Sequence, residues 1–242
     1  MVGIHYILTA LPALGDWGSI PPVTPARMLE YIDDSSLKTL LEMVFLSDDL
    51  LQHQSCITGE LTKPTPAVLT EAQVRNAETL PEYLVGPEPE ISVKIAADTL
   101  WAGYYRYAEY VAHNFKSRFL VEWLGYEVAL RNALASARAR ALNLAPEDYQ
   151  VVPELAVLEI DFTHLINEWT AAPTPLAGQQ ILDQARWHWL HDKDSWYTFQ
   201  RDELLAYAAQ LMLLHRWHRL RDTNENDSTV ALTDTPLHTT KR

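Results

Sequence analysis

Proline cannot sit inside a helix without losing a hydrogen bond and clashing with the preceding turn. The placement of proline therefore marks where long helices can run. This sequence holds fourteen prolines. None lies between Ile91 and Ala145 or between Leu176 and Thr235. Both spans are dense in Leu, Ala, Trp, Tyr and Arg, whereas Pro146, Pro153, Pro173 and Pro175 fall between periodic apolar segments. The second half of the chain is expected to be a set of long packed helices. Such a bundle without a chemical motif points to an assembly or coupling part more than to an enzyme.

The apolar stripes locate the elements. Ile4–Leu11 is apolar but lacks a basic leader, which argues against a signal peptide. It is expected to be a short buried strand or extended segment stopped by Pro12. A loop with Gly15, Gly18 and three prolines follows, then a short helix from about Pro25. Asp34, Ser35 and Ser36 offer caps for a helix bearing Leu37, Leu40, Leu41 and Val44. Ser47 or Asp48 offers a cap for a further turn or helix to about Ser55. Residues 57–90 form a Pro-rich irregular connection with at most one short helix, from Thr70 to about Ala77. Its Val68, Leu69, Leu80, Tyr83 and Leu84 suggest partial packing.

Leu100, Tyr104, Tyr107, Val111 and Phe115 share one helical face in a segment reading from Ile91 to about Phe115. Gly103 within it implies a close neighbour, since glycine is otherwise a poor helix former. Lys116–Asn143 carries Phe119, Trp123, Tyr126 and Leu130 at similar spacing, with Asn143 as a C-terminal cap. Whether these two spans are one helix or a hinged pair is left open by the pattern. Leu155, Leu158, Phe162, Leu165 and Trp169 follow an a/d repeat that predicts a helix from about Pro153 to Trp169. Thr174 and Pro175 start another, ending near His191, and a last helix is expected from about Thr198 to Arg221. The polar residues 223–242 read as a disordered tail. The fold class is all-α: an antiparallel long-helix bundle over residues 1–222, with the short N-terminal extended segment.

Charge and composition narrow the function classes. The net charge is −13, and hydrophobic residues make up 48% of the chain, as in an ordinary globular protein. Residues 1–90 hold thirteen acids against four bases. An acidic chain is a poor nonspecific partner for nucleic acid or anionic lipid. A lone cysteine, Cys56, excludes an intramolecular disulfide and a cysteine-based zinc cluster. No apolar run is long enough to span a bilayer, so no direct membrane insertion is expected. No glycine precedes a lysine, which removes the phosphate-binding P-loop, and G-x-G-x-x-G, G-x-S-x-G and H-E-x-x-H are also missing. No catalytic, cofactor-binding or metal residue is assigned.

The competing candidates are side-chain pairs. His188/His191 and His215/His218 are i, i+3 pairs on two predicted helices and offer nitrogen ligands, as a helical metal-binding protein or enzyme would need. Asp161/His164 is a third such pair. The same histidines suit helix C-termini for dipole reasons. Trp187, Trp189, Trp196 and Trp217 can stack a ligand or, more commonly, fill a core. Glu127 and Arg131 are spaced for an intrahelical pair that, if buried, orients Asn132. The five bases of Lys116–Asn143 either face a partner or are neutralised by the acidic first ninety residues.

Three stretches together resemble a family. They are Tyr6-Ile7-Leu8-Thr9-Ala10-Leu11-Pro12; Phe119-Leu120-Val121-Glu122-Trp123 followed by Glu127-Val128-Ala129-Leu130-Arg131-Asn132-Ala133-Leu134; and the closing pair, Asp183–Trp187 with Glu203–Trp217. The set resembles a short family encoded in bacterial V-type ATPase operons, similar to a shortened form of the C/d-type stalk component of V/A-type ATPases. The resemblance spans residues 4–12 and 104–220. It implies a noncatalytic all-α coupling or adaptor subunit that links the central rotor stalk to the membrane rotor ring. Central-stalk subunits and the ring are the implied partners. The implied location is cytoplasmic, peripheral to the inner membrane through the complex, and the transported ion is a proton or sodium.

Overall fold

A computed structural model describes the backbone of residues 4–85, 96–192 and 200–233, and the side chains of these except Ala96 and residues 223–233. Among the described residues every regular element is helical: α1 Ile4–Ala10, α2 Pro25–Glu30, α3 Ser35–Ile57, α4 Glu71–Val74, α5 Glu82–Val85, α6 Ala96–Asn114, α7 Arg118–Ala141, α8 Thr163–Thr170, α9 Pro175–Asp192 and α10 Arg201–Thr233. The all-α class is as expected. The expected starts at Ile91 and Thr198 lie outside the described residues. So do 234–242 of the tail, while the backbone of α10 runs on past Arg221 to Thr233.

The helix ends follow local chemistry. Phe115, Lys116 and Ser117 close α6: Lys116 adopts φ 54°, and the Ser117 N–H donates to the Ala112 carbonyl at 2.9 Å. Ser117 is also the N-cap of α7, its hydroxyl accepting from the Leu120 N–H. The two spans are therefore a hinged pair. Asn143, at φ 57°, terminates α7 as its sequence position suggests, with the Leu144 N–H returning to Ala139. Thr174 caps α9 through the Ala177 N–H.

Three local expectations are corrected. Ile4–Ala10 is a helix, not a strand or extended segment: its apolar residues also fit a helical turn, and the Leu11 N–H bonds back to Ile7. Ser47 and Asp48 start no new helix, because α3 is continuous. Ser47 Oγ donates to the Val44 carbonyl and Asp48 is held by distant arginines. The a/d helix over 153–169 is broken. Val152 is in the left-handed region at φ 39°, a short 3-10 turn covers Pro153–Leu155, and α8 begins only at Thr163. Leu158, a core position in that repeat, is 89% exposed. The break is imposed by α7. Gly125 leaves room for Val157, whose N–H donates to the Gly125 carbonyl at 3.2 Å, and a Cβ there would lie 2.6 Å from Val157 Cγ2.

The Pro-rich connection holds two short helices, α4 and α5, where at most one is expected, and it is packed down by α3. Asp49 accepts the backbone N–H groups of Ala67, Val68 and Leu69, and Gln52 accepts that of Thr65. His53 Nδ1 meets the Gln73 and Val74 carbonyls at 3.1 Å. Leu69, Val74 and Leu84 are buried. Gly103 fulfils its expectation, because the Leu84 backbone carbonyl lies where its Cβ would be.

α10 is the central helix. From Glu203 to Leu214 it is buried on every side, the signature of a helix enclosed by others. It lies along α3 in the parallel sense: Asp34 faces Arg201, Ser47 faces Met212 and Asp48 meets Arg216 and Arg219. α6 crosses α3 antiparallel, with Trp101 bonded to Gln54 and Tyr104 to the Met43 carbonyl. α7 is antiparallel to α9, with Phe119 against Trp189 and Glu127 against Arg186. The bundle is thus mixed rather than antiparallel throughout.

Candidate functional site

The interior holds a chain of charges that crosses four helices. Arg219 on α10 grips Asp48 of α3 with Nη2 at 2.8 and 2.9 Å from its two oxygens. Asp48 Oδ1 also accepts from Arg216 Nε at 3.0 Å. Arg216 Nη1 reaches Asp183 of α9 at 3.5 Å, and Asp183 accepts from Arg186 Nη1 at 3.1 Å. Arg186 ends the chain with a two-point bond to Glu127 of α7, at 2.7 and 3.1 Å. Three carboxylates thus alternate with three guanidiniums. Gln52 adds a bond to Asp48 Oδ2, shared with Arg219, and Gln179 donates to Asp183 Oδ2. Asp183 is fully buried, and Arg216 is 5% exposed.

The electrostatics follow from that alternation. Burial alone would raise the Asp48 carboxyl, yet Arg219 and Arg216 hold it down at about 2. Burial would lower Arg186, and Glu127 and Asp183 instead raise it. Burial of Asp49, one residue along α3, has no such counter-charge and pushes it up to about 7.

Local pattern explains which side chains reach in. Asp183 and Arg186 are one turn apart on α9, as are Arg216 and Arg219 on α10. The expected Glu127–Arg131 pair does not form. Glu127 turns to Arg186, while Arg131 meets Asp98 at 3.3 Å and lies 4.6 Å over the Trp101 ring. Guanidiniums favour both partners, a carboxylate and an aromatic face. Asn132 does brace a neighbouring segment, exchanging hydrogen bonds with both backbone groups of Val151 at 3.0 and 2.8 Å. Among the described residues, three α7 bases have partners that lie outside the first ninety residues. Arg118 pairs with Glu122, Arg131 with Asp98, and Arg138 lies over Trp169.

The histidine pairs are used otherwise. His215 Nε2 meets the Val23 carbonyl at 2.8 Å, and His218 Nε2 meets the Gly18 and Ser19 carbonyls. Against a carbonyl each Nε2 must carry the proton, which leaves only Nδ1 of each ring with a lone pair. His188, His191 and His164 are exposed. Among the described residues no group of three metal-ligating side chains converges. The tryptophans pack as core: Trp189 against Phe119, Trp123 and Tyr126, and Trp187 and Trp217 against Trp17. Trp196 lies outside the described residues.

Beside the charge chain lies a cavity of about 370 Å³, bordered by α3, α6, α7, α9 and α10. Trp101, Tyr104 and Tyr105 of α6 and Trp123 of α7 form its aromatic walls. Arg186 and Arg216 lie on its inner side, and the exposed Leu142 and Leu144 frame its mouth. Sequence reasoning missed this site. Its one advance signal was the paired charges Asp183/Arg186 and Arg216/Arg219, whose partners are far away in the chain.

No protein-family model, curated protein or solved structure matches this chain. What the fold and site define is a class: an all-helical protein with a charge-paired interior and a partly enclosed cavity beside it. Among the described residues no helix is long and apolar enough to cross a membrane.

Proposed function

We propose that this chain is a noncatalytic coupling or adaptor subunit of a bacterial V-type ATPase. It links the central rotor stalk to the membrane rotor ring and carries torque between them. Its partners are the central-stalk subunits and the ring. Its place is cytoplasmic, peripheral to the inner membrane through the complex, in the service of proton or sodium transport.

One observation carries this reading beyond the resemblance itself. The stretches that bear the resemblance interlock. Glu127 of the second bonds Arg186 of the closing pair, Arg216 reaches Asp183, and Tyr207 donates to the Pro12 carbonyl at the end of the first, at 2.8 Å. Residues that tie separated helices into one stiff body suit a part that transmits force. A missing P-loop suits a part that does not hydrolyse nucleotide.

Affinity purification of the chain from native membranes, followed by identification of what travels with it, tests the assignment. Recovery of V-type ATPase stalk and ring subunits is expected. Deletion of its gene should leave soluble ATP hydrolysis intact while membrane ion pumping falls. Pumping at the wild-type rate in the deletion strain, or ATP turnover by the isolated chain that a point substitution abolishes, refutes the proposal.

A further inference from the structure

The cavity beside the charge chain has features that structural packing does not require. One side of it is aromatic: the Trp101, Tyr104 and Tyr105 rings of α6 pack against one another with centroids 5.1 to 5.8 Å apart, and Trp123 of α7 also lines it. Two donors there are uncommitted. Arg216 spends Nε on Asp48 and Nη1 on Asp183, and its Nη2 has no partner among the described residues. The Tyr105 hydroxyl, on a residue only 3% exposed, also has none. A buried donor left unmade costs about 1–3 kcal/mol. Yet Trp17 Nε1 is the one fully buried side-chain donor or acceptor lacking a partner among the described residues. The free Arg216 and Tyr105 groups therefore border the open space of the cavity that both residues line.

Charge sets the sign of what fits. Arg131, Arg138, Arg186 and Arg216 line the cavity against two carboxylates, Asp98 and Glu127. This basic lining lies inside a chain of net charge −13. Asp48 and Asp183 also neutralise Arg216 and Arg186, so the positive surplus around the cavity is small and a monoanion is favoured over a dianion. A carboxylate has two acceptor oxygens, one for an Arg216 N–H and one for the Tyr105 hydroxyl. The flat aromatic walls take an apolar, planar body. A cavity of about 370 Å³ lies in the range of small-molecule sites. Exposed Leu142 and Leu144 at the mouth give an apolar entrance.

We propose that this cavity is a binding site for a small aromatic monocarboxylate, held by Arg216 and Tyr105 between Trp101 and Trp123. The site lies within one chain, so the proposal stands apart from any coupling role.

Calorimetric titration of the full chain with benzoate and 2-naphthoate tests it, with benzamide, 2-naphthamide and inorganic phosphate as comparisons. The carboxylates should bind at least about tenfold more tightly than the matching amides, since charge-assisted bonds are worth about 1.5–3 kcal/mol against about 1 for neutral ones. Tyr105→Phe removes one donor and should weaken naphthoate severalfold. Ala135→Trp, on the cavity wall, should abolish binding while the melting temperature stays near wild type. Both variants leave the charge chain intact. Three results would each overturn the proposal: no heat from either carboxylate, equal binding of acid and amide, or unchanged binding in Ala135→Trp. Phosphate binding more tightly than naphthoate would overturn it in favour of a plain anion site.

Discussion

Asp183→Asn is the sharpest test of the charge chain. Asp183 is fully buried and accepts from Gln179, Arg186 and Arg216. The substitution keeps the shape and removes the charge, leaving three guanidiniums against two carboxylates. Breaking a buried pair by removing one partner costs about 3–5 kcal/mol. Here each arginine retains another acid, Glu127 for Arg186 and Asp48 for Arg216, and the bond to Arg216 is long at 3.5 Å. The lower end, about 3 kcal/mol, is therefore expected. For a chain of this size that corresponds to a fall of roughly 6–12 °C in melting temperature. Urea unfolding followed by circular dichroism measures it, because guanidinium salts would screen the charges. Adding Arg216→Met removes the surplus cation, so the double variant should be less destabilised than the sum of the singles by about 1–3 kcal/mol. A single-variant change below about 0.5 kcal/mol, or strict additivity, would refute the idea that these charges act as one unit.

Three further outcomes follow from other parts of the core. Trp123, 1% exposed, should cost about 3–5 kcal/mol as Trp123→Ala in the same urea assay; the adjoining cavity favours the low end of the range. Gly103→Ala should destabilise by about 1–3 kcal/mol despite the better helix former, because the new Cβ meets the Leu84 carbonyl; a stabilised variant would contradict that contact. The Asp48 carboxyl falls from 3.8 to about 2 on folding, so its ionised form contributes about 2 kcal/mol. That contribution is complete above about pH 4 and is lost as pH falls towards about 2. Asp48→Asn should flatten the stability profile in that window.

The long helices were legible because proline and a 3.6-residue stripe are local signals that packing reinforced in α6, α7, α9 and α10. The failures share a cause. Ile4–Ala10 is too short for its period to separate helix from strand. The repeat from Leu155 to Trp169 looked helical. Gly125 invites the Val157 backbone onto α7, and one long-range hydrogen bond outweighed the local pattern. Glu127 and Arg131 were correctly spaced for each other, but a buried Arg186 and an aromatic Trp101 offered better partners. The cavity was not legible, since its lining residues are drawn from five helices. Ser47 and Asp48 resembled a cap because both residue types favour caps, and only the arginines of α10 explain a buried aspartate in mid-helix.

The parallel pairing of α3 with α10 has a consequence for how the chain is made. α3 leaves the ribosome well before α10, with Asp48 and Asp49 adjacent and the face that α10 covers still open. The guanidiniums that neutralise Asp48 lie on α10 and are synthesised much later than α3. Loop closure over that separation is entropically costly, and contacts so distant in sequence form slowly. The nascent chain must therefore carry α3 incomplete until α10 has been made. Until Arg216 and Arg219 arrive, that segment is a natural client for a chaperone rather than a finished subdomain.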